Sequence, residues 1–209
     1  MKNLFITFLF ATLIASCNNN SSQKLPILGR HEYLETESGT DTVYHTIKPF
    51  SFIDQDSSVI TNDTYNGKIY VTDFFFTSCP SICPIMKVQM LRVYNEFNAD
   101  STVMLLSHTI DPEYDNVEIL HNYATRMEVN SSKWHFVTGE KNKIYDMAQT
   151  SYYIATRENE SAPGGYEHSG AFILVDNLRR IRGVYDGTKA EAVDELMNDI
   201  KTLLVEVNE

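Results

Sequence analysis

The sequence predicts an α/β sandwich, a mixed central sheet flanked by helices, and three observations carry that reading. Strand and amphipathic-helix patterns alternate from residue 68 to residue 148, the order that feeds a partly parallel sheet. The first strand of that series, residues 68–76, is almost continuously apolar and β-branched, as in a strand buried on both faces. The chain then ends in a hairpin pattern, residues 171–175 and 180–185, followed by a long amphipathic helix. Together these give an arrangement of thioredoxin type with an N-terminal β extension. The 209 residues, 43% hydrophobic and 11% aromatic, suffice for one well-buried core. No internal repeat or composition break divides them, so residues 25–209 are expected to form one domain.

Taken in order, residues 1–16 form an export signal. Lys2 precedes an apolar run over residues 4–14, and the small residues Ala15 and Ser16 follow. The run is shorter than the roughly 20 residues that span a membrane. Ile14-Ala15-Ser16-Cys17 resembles the bacterial lipobox, which predicts cleavage before Cys17 and a lipid on Cys17, with an uncleaved anchor or an ordinary secretory signal as the alternative readings. Residues 17–24, rich in Asn and Ser, read as a flexible tether. A membrane-anchored lipoprotein of the bacterial cell envelope, facing the periplasm or the exterior, is therefore expected.

Residues 42–47 alternate like an edge strand, and residues 49–53 with 58–61 form a hairpin across a polar turn. After the central strand, residues 84–97 are helical, with Met86, Met90, Leu91, Tyr94 and Phe97 on one face. That stripe marks both methionines as core. A second strand over 102–110 ends at Asp111-Pro112, and a helix follows over 116–127. Short strands over 133–138 and 152–156 enclose a helix over 141–148, and residues 161–165 form a loop. Thr188 and Glu191 have capping-box spacing, so the last helix is expected to start at Thr188.

Charge and cysteine usage narrow the function. A formal net charge of −11 excludes binding through nucleic-acid phosphates, which needs clustered Lys and Arg. Besides Cys17 the chain has only Cys79 and Cys83, at the junction of the central strand and its helix. A helix N-terminus stabilises a thiolate, which makes both nucleophilic and metal-competent. Cβ atoms at i and i+4 of a regular helix lie about 5–6 Å apart, against about 3.5–4.5 Å in a disulfide. Pro80 and Pro84 can hold Cys79 off the helix by delaying its start, so a disulfide stays open beside a two-thiolate metal grip.

A third ligand has six histidines to come from. His31, His45, His121 and His135 sit in edge, helix or short-strand positions with ordinary roles, and His108 lies near the end of a strand that can border the site. His168 follows the Gly-rich loop and directly precedes the strand expected beside the central one, which makes it the candidate third ligand. A solvated surface histidine is the alternative reading.

Several stretches in order resemble the Sco/SenC family: Phe74-Phe75-Phe76-Thr77-Ser78-Cys79-Pro80-Ser81-Ile82-Cys83-Pro84, Thr109-Ile110-Asp111-Pro112-Glu113-Tyr114-Asp115, Trp134-His135-Phe136-Val137-Thr138-Gly139 and Glu167-His168-Ser169. The resemblance runs from about Pro49 to Leu204. It implies a thioredoxin-like, membrane-tethered copper protein that helps to assemble the CuA centre of cytochrome c oxidase, with Cys79, Cys83 and His168 as copper ligands. The implied partner is the copper-accepting subunit of that oxidase, or another copper donor or acceptor. The sequence departs from the family pattern where Glu167 replaces an aspartate, where Ser107-His108 replaces apolar residues, and where a lipid on Cys17 replaces a transmembrane helix. Asp111 is a candidate for hydrogen bonding behind the ligands, or simply for ending its strand.

Two mechanisms follow. In one, soft thiolates and an imidazole hold Cu(I) or Cu(II) for transfer, and zinc with a water fits the same ligands. In the other, Cys79 and Cys83 act as a thiol-disulfide oxidoreductase that reduces the cysteines of the target copper site. A thiol peroxidase has no support beyond the fold.

Overall fold

The structure, a computed structural model, describes residues 24–207. The signal segment, Cys17 and most of the tether lie outside the described residues. The described chain opens with an exposed antiparallel hairpin, β1 (Glu32–Thr36) and β2 (Gly39–Val43). Next come β3 (Ser51–Asp54) and β4 (Val59–Thr61), a 3-10 turn at Asn62–Tyr65, and the central strand β5 (Ile69–Phe75). Helix α1 (Cys83–Phe97), β6 (Val103–Thr109), α2 (Val117–Arg126), β7 (Trp134–Thr138) and α3 (Lys141–Asp146) alternate. Helix α3 widens into a π turn at Met147–Ser151. The short β8 (Thr156–Glu158) and β9 (Tyr166–His168) form a separate hairpin before β10 (Ala171–Val175), β11 (Ile181–Asp186) and α4 (Ala190–Glu206).

Seven strands make the main sheet in the order β11-β10-β5-β6-β7-β3-β4. Strands β5, β6 and β7 run parallel and the outer pairs antiparallel. All seven residues of β5 and all seven of β6 are buried, which is why both read as apolar runs. Side chains alternate between the faces of the sheet. On one face Phe75 and Phe136 meet Tyr123 of α2, and Met86 and Met90 of α1 are buried as expected. Ion pairs Arg92–Asp194 and Lys201–Glu96 join α1 to α4. On the other face Phe74 and His108 pack with Phe50, Phe52 and Tyr152.

Several boundaries differ from expectation for local reasons. The capping box at Thr188 does not form, because its N–H and hydroxyl both donate to Oδ1 of Asp186 (3.0 and 2.5 Å) in a turn that ends β11. Helix α4 therefore starts at Ala190, with no side-chain cap from Lys189. No strand spans residues 152–155: Tyr153 is left-handed (φ 57°), the Ile154 N–H is bound to the Ala148 carbonyl, and Tyr152 is drawn inward to share a 3.0 Å hydrogen bond with Tyr70. The edge strand expected at 42–47 stops at Val43 and pairs with β1. His168, expected on a loop, sits on β9.

The start of the described chain is fastened to the sheet. Arg182, 4% exposed, donates to the carbonyls of Leu25 (2.6 Å) and Pro26 (3.0 Å) and pairs with Asp176 and Glu206. The Leu25 N–H donates to Glu206, and Leu28 bridges to Ile181. Among the described residues, no helix is long and apolar enough to cross a membrane.

Candidate metal centre

Chain geometry brings three soft donors together at the C-terminal end of β5. Cys79 lies in the turn after that strand, with its N–H donating to the Phe76 carbonyl (3.2 Å). The turn is held from below by Asp115, fully buried, whose carboxylate accepts the Thr77 N–H (2.9 Å), the Thr77 hydroxyl and the Thr109 hydroxyl (2.6 Å). Cys83 opens α1, so Cys79 stands off the regular helix, as Pro80 and Pro84 allow. Both thiols are free and buried.

His168 arrives from the β8–β9 hairpin. Its Nε2 lies 3.4 Å from the Cys83 sulfur and 4.0 Å from the Cys79 sulfur, and the three donor atoms lie within 4.8 Å of one another. The Nδ1–H donates to the Ser169 carbonyl (3.2 Å), which leaves the Nε2 lone pair facing the sulfurs. Phe76 packs edge-on against the imidazole and also against Tyr166. Gly164 permits this closure: a Cβ there would lie 2.8 Å from the Phe76 ring and 3.1 Å from Pro80, and its φ is +80°.

A family model described as SCO1/SenC matches residues 38–205. The chain belongs to the SCO1/SenC family. Among its relatives, the SCO1 protein homolog of Bacillus subtilis (strain 168) is 26% identical over 164 residues, which cover 78% of this chain and 84% of that protein. The solved structure of BsSco, described as a Sco-family cytochrome c oxidase assembly protein with a disulfide switch, matches with a TM-score of 0.68 at 26% identity, covering 76% of this chain and 93% of that one. Arabidopsis thaliana ScoI, solved with copper bound, matches with a TM-score of 0.62 at 25% identity, over 74% of this chain and 97% of that one.

Within this SCO1/SenC chain the two thiols are unequal. The Cys79 pKa is lowered to about 3, first by the hydrogen bond from Cys83 and then, against the opposing effect of burial, by His168 and Ser81. The Cys83 thiol is pushed up by that same bond to Cys79 and by burial. One proton thus stays between the sulfurs, on Cys83, while Cys79 is the thiolate. Asp73, buried on the face beneath Cys83, is raised to about 6 by burial, while the Ser107 hydroxyl and the nearby His168 draw it down.

The other candidates fall elsewhere. His108 is fully buried on the opposite face, stacked on Phe74 at 4.9 Å, with neither ring nitrogen hydrogen-bonded. Burial lowers its pKa to about 3, and it takes no part in the ligand set. Asp111 acts at one remove: its Oδ1 accepts the Tyr166 hydroxyl (2.8 Å) and so ties β9 to the loop after β6. Glu167 spans to Arg157 and Asn159 across the hairpin, which accounts for the longer side chain at that position.

Tyr166, Asp73 and Asp115 were not singled out by sequence. Asp73 carried a signal, as the only charged residue in a strand that is otherwise apolar or aromatic except for Thr72. A cleft of about 630 Å³ opens beside His168, lined by Gln149, Thr156, Arg157 and Ser169. A cleft of about 650 Å³ between Phe50 and Met147 has no cysteine or histidine in its lining.

Proposed function

We propose that this protein holds copper on Cys79, Cys83 and His168 and serves assembly of the CuA centre of cytochrome c oxidase, with the copper-accepting subunit of that enzyme as partner. The observation that carries the reading is the convergence of the three donors, with the imidazole tautomer already set by Ser169. An ion held at about 2.3 Å from sulfur and about 2.0 Å from nitrogen places those atoms roughly 3.5–3.7 Å apart at tetrahedral to trigonal angles, a range that the observed 3.4 and 4.0 Å bracket. Two thiolates suit Cu(I), and the imidazole extends the set to Cu(II). No fourth Cys, His or carboxylate joins the cluster among the described residues, which favours copper over a closed zinc site. The copper-bound Arabidopsis structure and the oxidase-assembly description of BsSco support the assignment.

Anaerobic titration of the reduced protein with Cu(I) tests it, run beside His168→Ala and Cys83→Ser. Stoichiometric tight binding by the unaltered protein, weakened in both variants, is expected. Tight binding retained in both would overturn the three-ligand site.

The anchor belongs to the same proposal: a lipid on Cys17, after removal of residues 1–16, holds the domain of residues 25–209 at a membrane of the bacterial envelope. Mass spectrometry of the mature N-terminus reads this directly, and an unmodified Cys17 would overturn it.

A second reading is favoured by one observation, two free, buried thiols whose sulfurs lie within 4.8 Å of each other. In it, the Cys79 thiolate attacks a partner disulfide and releases one partner thiolate. Cys83, giving up its proton, then attacks the Cys79 sulfur and releases the second. The partner gains two electrons, and Cys79–Cys83 becomes the disulfide. Reduction of an oxidised CuA-domain dithiol by a protein that binds copper poorly would favour this role over metal delivery.

A further inference from the structure

Asp73 is the only charged residue of β5, and it is 5% exposed. It lines one small cavity with Cys83, Met86, Met90 and Ser107, directly behind the ligand at the head of α1. Its Oδ1 accepts the Ser107 hydroxyl at 2.5 Å, and the Ser107 oxygen accepts Trp134 Nε1–H at 2.9 Å. Among the described residues no lysine or arginine forms an ion pair with it. Lys87, which borders the same cavity, places its ammonium over the Tyr123 ring instead. A buried carboxylate without a cation is costly to keep. Nothing in the packing of β5 calls for it, since the positions around it are apolar, aromatic or threonine.

We propose that Asp73 sets the oxidation state the site prefers, its carboxylate favouring Cu(II) over Cu(I). The inference rests on the copper reading above. Two thiolates, a neutral imidazole and Cu(I) leave one net negative charge, whereas the same ligands with Cu(II) are neutral. A fixed negative charge behind Cys83 repels the first state and is indifferent to the second. At an effective dielectric near 20, a unit charge lining the same cavity as a ligand is close enough to bias such an equilibrium by roughly tenfold or more. The dipoles donated through Ser107 and Trp134 hold the carboxylate in place without neutralising it. Asp73 touches no metal; it acts through its field on the ligand set.

The test compares Cu(I) and Cu(II) dissociation constants, by competition with chelators specific for each state, in the full chain and in Asp73→Asn and Asp73→Glu. In Asp73→Asn the ratio of Cu(II) to Cu(I) affinity is expected to fall at least tenfold, equivalent to a rise of about 59 mV in the one-electron potential. Asp73→Glu, which keeps the charge, is expected to stay within about threefold of the unaltered protein. If Asp73→Asn does not fold, Asp73→Ser carries the same expectation, because its hydroxyl can still accept from Ser107. An unchanged ratio in a folded, copper-binding neutral variant would overturn the assignment, as would an equal fall in Asp73→Glu. Failure of the unaltered protein to bind copper in either state would overturn the copper reading and this inference together.

Discussion

Raising the pH from 7 to 9 is expected to tighten Cu(I) binding about a hundredfold, because one proton, and only one, must leave the apo site when copper arrives. Cys79, lowered to about 3, is already a thiolate throughout this window, while Cys83 is pushed up and keeps its proton. A metal that takes both sulfurs releases the Cys83 proton, so the logarithm of the affinity rises by about one for each pH unit, or about 1.4 kcal/mol per unit. A chromophoric Cu(I) chelator in anaerobic competition measures the slope, and a pH indicator in weak buffer counts the proton. Cys83→Ser and Cys79→Ser are each expected to bind more weakly, having lost one sulfur ligand. A slope near two in the unaltered protein would mean that both thiols start protonated. A slope near zero would mean that both start ionised. Either result would refute the unequal pair.

Other perturbations probe the scaffold of the site. Gly164→Ala puts a methyl group against Phe76 and Pro80 at φ +80°, so it is expected to destabilise the fold by about 1–3 kcal/mol and weaken copper binding, read by chemical denaturation and the same competition assay. Tyr166→Phe removes the bond to Asp111 that seats β9, and a copper affinity about tenfold lower with little loss of stability is expected. His108→Leu removes two buried nitrogens without partners and should stabilise the protein by about 1 kcal/mol at pH 7. Its acid profile should change too. With the folded His108 pKa near 3, the neutral ring contributes stability above the unfolded value of about 6.5 and loses it, at about 1.4 kcal/mol per pH unit, as the pH falls toward 3. Denaturant midpoints at pH 7 and pH 5 should therefore differ less in His108→Leu than in the unaltered protein.

The central part of this molecule was legible because its burial is written in local pattern. Strands β5 and β6, buried on both faces, read as unbroken apolar runs, and the paired cysteines mark the junction where β5 gives way to α1. His168 was legible by position, ahead of β10, although the strand that carries it was not. Strands β8 and β9 have three residues each, too few for a periodicity, and are held by cross-hairpin pairs such as Arg157–Glu167 that no local pattern announces. The misplaced start of α4 has the same origin. Thr188 has the right chemistry for a cap, but Asp186 two residues earlier claims its donors. Asp115 and Thr77 are 38 positions apart, and only the folded sheet makes them partners.

The clamp around Arg182 has a consequence for how the molecule meets another. Ile181, beside it, pairs with Val175, which pairs with Tyr70 at the beginning of β5, whereas the sulfurs sit beyond Phe75 at the other end of that strand. A seven-residue strand is about 23 Å long. A pull applied to the chain at Leu25 is therefore taken up by Arg182, Asp176 and Glu206 rather than by the loops around Cys79. The two ends of β5 thus divide the work, with the fastened start of the described chain near one and the three soft donors beyond the other.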